Sequence, residues 1–148
     1  MRRLFPGLVA FLVGMAVVLA GGQAAHAAPY WQVVYPDSTW HCTGNYQHTA
    51  NPRVLFNACL IVNGSSMQTA LVVYNGSSGP VRIYGETADN LSQAFCYESP
   101  LTNGYQRGCL GYTRTMANCR TYQGVVTLYV NGVPNSVLTP TWSTPCPA

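Results

Sequence analysis

Outside its first 27 residues the chain has two imidazoles, His41 and His48, and imidazole is the side chain that ordinarily exchanges protons near neutral pH. Combined with Glu86, Glu98 or an arginine, either could serve a small hydrolytic or ribonuclease-like site. Nothing pairs them with a nucleophile. The chain has no Gly-x-Ser-x-Gly, no His-Glu-x-x-His and no glycine loop of the kind that cradles phosphate. The ordinary reading puts His41, between Trp40 and Cys42, on a half-buried strand, and His48 in the polar loop Asn45 to Pro52.

Cysteine chemistry is the next possibility. Cys42, Cys59, Cys96, Cys109, Cys119 and Cys146 make an even set without a Cys-x-x-Cys, so three disulfides are expected and a zinc site is not. Paired sulfurs also remove a thiolate nucleophile. Loop length favours pairing between chain neighbours, 42 with 59, 96 with 109 and 119 with 146. In the chain-entropy picture each such bridge contributes about 2–4 kcal/mol.

Recognition chemistry is better represented. The chain has 10 tyrosines, joined by Trp31, Trp40 and Trp142, and few charges. A flat ring with a polar edge stacks on sugars or fixes a protein interface at low entropic cost, although tyrosine also commonly covers the solvent side of sheets. In an extended segment Arg82, Tyr84 and Glu86 share one face, opposite Val81 and Ile83, as a compact polar and aromatic patch. If Cys96 pairs with Cys109, residues 97–108 become a tethered loop with Leu101, Tyr105 and Arg107 as candidate contacts. A rigid exposed loop of that kind suits a protease inhibitor, with Leu101 or Arg107 entering a specificity pocket. Asn63, Asn75 and Asn90 each begin an Asn-x-Ser triplet, a glycosylation signal in a host with that machinery and a turn otherwise.

Strands must position these residues. Val54, Phe56, Ala58, Leu60 and Val62 alternate along an extended run that ends at Asn63-Gly64, after which Met67 to Tyr74 runs back as a hairpin. Asn75 to Pro80 is the next turn, with Val81 to Tyr84 beyond it. Val126, Leu128 and Val130 alternate with Val125, Thr127 and Tyr129, and Asn131-Gly132 turns that strand toward Val137 and Leu138. Apolar parity changes between Tyr105–Cys109 and Leu110–Arg114, where Gly108 and Gly111 would admit a bulge. With no 3.6-residue period after residue 28, the chain is expected to be all-β. A disulfide-stabilised antiparallel β-sandwich, immunoglobulin-like, or a small barrel of about seven to eight strands fits these runs.

Arg2-Arg3, the apolar run Leu4 to Ala20 and Ala25-His26-Ala27 have the order of a secretory signal peptide, so residues 1–27 are expected to be a leader and 28–148 one secreted domain. Beyond the leader five arginines face Asp37, Glu86, Asp89 and Glu98, leaving +1 without a lysine. A chain this neutral offers little to nucleic acid, and no later apolar run reaches membrane length.

The leader, the arginine-only cations and a disulfide-rich β domain resemble small secreted proteins of actinobacteria, many without an assigned activity. The resemblance covers the chain loosely and rests on Cys96, Arg107-Gly108-Cys109 and Trp142-x-x-x-Cys146. Secreted subtilisin inhibitors of those bacteria share the size and compartment. Their reactive-site motif is missing here and six cysteines replace their usual four, so no residue role carries over.

Together these observations predict a secreted, monomeric binding protein without catalysis, cofactor or metal, whose partner is an extracellular glycan or protein. An inhibitor using the Cys96–Cys109 loop is the alternative. A small extracellular hydrolase using His41 or His48 is the third.

Overall fold

The computed structural model describes residues 30–147, and the expected leader lies outside them. Seven strands of five residues or more carry the architecture: β4 (Asn51–Asn63), β5 (Ser66–Asn75), β6 (Val81–Ala88), β7 (Gln93–Leu101), β8 (Gln106–Leu110), β11 (Val125–Val130) and β12 (Val133–Leu138). Six shorter ones join them: β1 (Trp31–Gln32), β2 (Trp40–Cys42), β3 (Tyr46–His48), β9 (Arg114–Thr115), β10 (Thr121–Tyr122) and β13 (Trp142–Ser143). The total of thirteen exceeds the seven or eight expected, because two or three paired residues leave no alternation for periodicity to register. Among the described residues there is no helix.

One sheet runs β1-β8-β5-β4-β2, with β3 also on β4 and β9 also on β5. A second runs β12-β11-β6-β7, and β10 with β13 forms a third, two-stranded sheet. All pairings are antiparallel. The two larger sheets face each other as a sandwich. Val54, Phe56, Ala58, Leu71, Val73 and Cys109 of the first pack on Val81, Ile83, Cys96, Leu101, Val126, Leu128 and Val130 of the second. Burial of each large apolar side chain contributes about 1.5–3 kcal/mol.

The first sheet is covered on its other face too. Val34 and Trp40 of the N-terminal arm, with Cys42, close over Cys59, Ala70 and Val72. Leu60 and Val62 continue the inward row of β4, but there they meet Met67, Met116, Tyr122 and Trp142 under the small third sheet. Among the described residues the second sheet has no such cover on its outer face, which leaves its outward side chains at the surface.

The turns follow their residues. Gly64, at φ 58°, begins the two-residue β4–β5 turn, while Asn131 (φ 50°) and Gly132 (φ 84°) both take positive φ in the β11–β12 turn, as a type I′ hairpin requires. The expected bulge lies just past Gly111: between the pairs Ala70↔Leu110 and Met67↔Arg114, residues 68 and 69 oppose residues 111–113. The six cysteines pair as chain neighbours, Cys42–Cys59, Cys96–Cys109 and Cys119–Cys146.

Candidate functional site

The outer face of the second sheet gathers the patch. Along β6, Val81, Ile83, Gly85 and Thr87 point into the sandwich, so Arg82, Tyr84 and Glu86 point out. Register then supplies their neighbours. On one side Tyr129 stands opposite Tyr84 and Thr127 opposite Glu86; on the other, Phe95 opposes Glu86 and Pro100 opposes Arg82. The β6–β7 register shifts between Ile83 and Gly85, which sets two residues, Tyr97 and Glu98, against Tyr84. This is a bulge, and it re-aims both side chains at the patch edge.

The rings touch. Tyr84 meets Tyr129 edge to face with centroids 5.2 Å apart, and lies nearly parallel to Phe95 at 6.5 Å. Such pairs add about 0.5–1.5 kcal/mol beyond their buried area. Burial and then the negative charge of Glu86 raise the Tyr84 phenol above the usual tyrosine pKa; for Tyr129 the Glu86 charge comes first and burial second. One carboxylate thus sits between two phenols. Arg82 and Glu98 pair at the rim and, with Tyr84, Tyr129 and Gly132, line a depression of about 220 Å3. Both ends of that pair are exposed, so its role is to position charge, with little effect on stability.

Beneath the patch the backbone is held firmly. The Trp31 indole reaches from β1 across the sandwich edge and donates through Nε1 to the Tyr97 carbonyl at 2.9 Å. Its ring occupies the space a side chain at position 85 would need, 2.9 Å from where a Cβ would stand, so glycine is required there.

No family model matches this chain, and no curated protein matches it. Its residues must therefore be read on their own geometry.

Three of the six residues singled out in sequence, Arg82, Tyr84 and Glu86, do form one patch. The other three do not join it. Leu101 closes β7 with no exposed surface, inside the main core, so the expectation that it could enter a protease pocket is corrected. The tethered loop itself is corrected as well. Residues 97–101 continue β7, and Cys96 and Cys109, both fully buried, bridge the two sheets instead of closing a free loop. Only the turn 102–105 projects, with Tyr105 exposed at its end. Arg107 is half-buried on β8, where its Nη1 donates to Ser99 Oγ at 3.1 Å across the sandwich edge.

Tyr129, Phe95 and Tyr97 were not brought to this patch by sequence reasoning, and Glu98 was considered only as a partner for a histidine. Alternation in Val125–Val130 already put Tyr129 on the polar row, but only strand pairing brings β11 beside β6.

The histidines take structural places. His41 is half-buried and its ring lies tilted against that of Trp142, with centroids 4.4 Å apart. His48, expected in a loop, ends β3 and is 1% exposed, because a register shift between Gln47 and His48 turns its ring inward beside Phe56. Its Nδ1 accepts the Ala50 N–H at 3.1 Å, so Nε2 carries the proton and donates to the Leu128 carbonyl at 3.1 Å. Burial pushes its pKa below the ordinary value against the smaller opposing effect of backbone contacts. The unfolded chain therefore takes up this proton first. Stability from His48 is complete above about pH 6.5 and is lost as pH falls from there through the lowered folded value. Thermal melts of the wild type and a His48→Gln variant across that window should converge as pH falls; parallel curves would contradict this account.

Asn75 is corrected in the same way: its side chain is fully buried and engaged, so of the three triplets only Asn63 and Asn90 are exposed.

Proposed function

We propose that the protein is a secreted, non-catalytic binding module that holds an extracellular glycan on the outer face of its second sheet. The observation that carries this reading is the surface formed by Tyr84, Tyr129 and Phe95 around the Glu86 carboxylate. Ring faces take the apolar side of a pyranose, while a carboxylate and phenols at their edges take its hydroxyls. A protein partner fits less well. Glu86 already has the Tyr84 and Tyr129 phenols as donors, but an apolar partner would leave its remaining acceptor sites buried and unfilled, a cost that sugar hydroxyls avoid by donating to them.

Extracellular placement rests on the expected leader and three formed disulfides, which persist in oxidising compartments. Among the described residues no helix is long and apolar enough to cross a membrane. The inhibitor alternative loses its specificity residue to the core at Leu101. The hydrolase alternative finds His48 with both ring nitrogens engaged.

Affinity electrophoresis through gels containing xylan, glucan or solubilised chitin tests the proposal directly. Retardation by at least one polysaccharide is expected, and Tyr84→Ala should weaken it by about tenfold, the equivalent of one lost ring contact, in a protein that still unfolds cooperatively, with a melting temperature lowered by several degrees for the two ring pairs it loses. Retardation that survives both Tyr84→Ala and Tyr129→Ala would place the glycan elsewhere. Failure to bind any polysaccharide would overturn the proposal.

A further inference from the structure

A second, separate cleft lies at the other end of the molecule, between the β6–β7 turn, β9 and the small third sheet. Its volume is about 410 Å3, within the range of about 300–1,000 Å3 usual for small-molecule sites. Met67, Leu91 and Tyr122 give it an apolar lining. The Tyr122 wall is fixed: its hydroxyl accepts the Ala117 N–H at 2.6 Å, and its backbone pairs with Trp142 in the sheet that Cys119–Cys146 clasps.

Charge in this cleft is unbalanced toward the positive. Asp89, the acidic member, is occupied by its own turn, where Oδ1 accepts the N–H groups of Leu91 and Ser92, both at 2.8 Å. Arg114 is held from behind. Its Nε donates to Ser92 Oγ at 2.9 Å and lies 3.4 Å from Asp89 Oδ2, and its two terminal nitrogens have no acceptor among the described residues. Arg120 completes the rim, and its guanidinium meets no acceptor among the described residues. Among the described residues Asp89 offsets one guanidinium and no carboxylate pairs with the second.

We propose that this cleft binds a small organic acid, its apolar body against Met67, Leu91 and Tyr122 and its carboxylate on Arg114 and Arg120. Planar guanidiniums favour a carboxylate over a lone halide because they donate two parallel bonds. The restrained Nε presets the Arg114 fork, so ordering the exposed Arg120 is the main side-chain cost left to oppose binding.

Phenylbutyrate and its uncharged amide, phenylbutyramide, make a matched pair of probes for amide-detected NMR titration of the disulfide-intact protein. The acid should saturate one site, with shifts centred on Met67, Leu91 and residues 114–123. The amide should bind about tenfold more weakly, and Arg120→Gln should weaken the acid by a similar factor, the loss of one charge-assisted contact. Arg120 is exposed, so this variant should melt like the wild type, and Tyr84→Ala should leave acid binding unchanged, which separates this cleft from the sheet face. Equal binding of acid and amide, shifts centred elsewhere, or no saturation by the acid would each overturn the proposal.

Discussion

Replacing Cys96 and Cys109 together by alanine is expected to lower the unfolding free energy by about 2–5 kcal/mol, the largest loss among the three bridges. Loop entropy alone argues the opposite order. Cys119–Cys146 closes 27 residues against 13 for Cys96–Cys109, and in the entropy model that difference favours the longer loop by only about 0.6 kcal/mol. Burial outweighs it. Cys96 and Cys109 are fully enclosed in the main core, whereas Cys119 and Cys146 are exposed. Removing two core sulfurs leaves voids in the main core, and each cavity of methyl size or more costs about 1 kcal/mol beyond the lost cross-link. Urea denaturation of the double variants of each pair would decide the order. A smaller loss from Cys96→Ala/Cys109→Ala than from Cys119→Ala/Cys146→Ala would show that loop entropy governs instead.

Asn75→Ala is expected to cost about 2–4 kcal/mol, more than most substitutions at a turn. The side chain has no exposed surface and ties two connections together. Its Nδ2 donates to the Gly79 carbonyl at 2.9 Å and the Leu101 carbonyl at 2.8 Å, and Oδ1 accepts the Ser77 N–H at 3.0 Å. Its own N–H donates to the Tyr105 carbonyl. Water can reach Ser77 and Gly79 after truncation, because both are partly exposed, but the Leu101 carbonyl lies in the core and would remain unpaired. Asn75→Asp should be more damaging at neutral pH, since it removes both donated bonds and buries a charge. Thermal unfolding of the two variants checks this. Near wild-type stability of Asn75→Ala would mean that the two connections hold without the side chain.

Much of this architecture could be read from residue order because its information is local. Alternation along Val54–Val62 and Val125–Val130 marks the inward rows, and Asn63-Gly64 and Asn131-Gly132 mark the turns between paired strands. Neighbouring cysteines pair because the segments that carry them, strands for Cys42–Cys59 and Cys96–Cys109 and the residues flanking β10 and β13 for Cys119–Cys146, lie close in the fold. What escaped is non-local. No pattern around His48 reveals that a register shift turns it under Phe56, or that its acceptor is 80 residues away at Leu128. A Cys96–Cys109 bridge makes residues 97–108 look like a closed loop, because sequence does not show that the bridge spans two sheets; pairing with β6 and the indole of Trp31 keep 97–101 extended. The patch was half legible for the same reason. Arg82, Tyr84 and Glu86 lie on one strand, whereas Tyr129 and Phe95 arrive from strands on either side.

The outward row of the second sheet has a consequence that does not depend on which ligand it takes. Tyr84, Glu86, Phe95 and Tyr129 alternate with residues that build the core, so the same backbone serves two sets of side chains that do not share space. Substitutions in the outward set can change what is recognised while the inward set keeps folding intact, and strands hold new side chains in position more exactingly than loops do. This face is a place where specificity can drift between related molecules, or be rewritten in a library, without a matching search for stability.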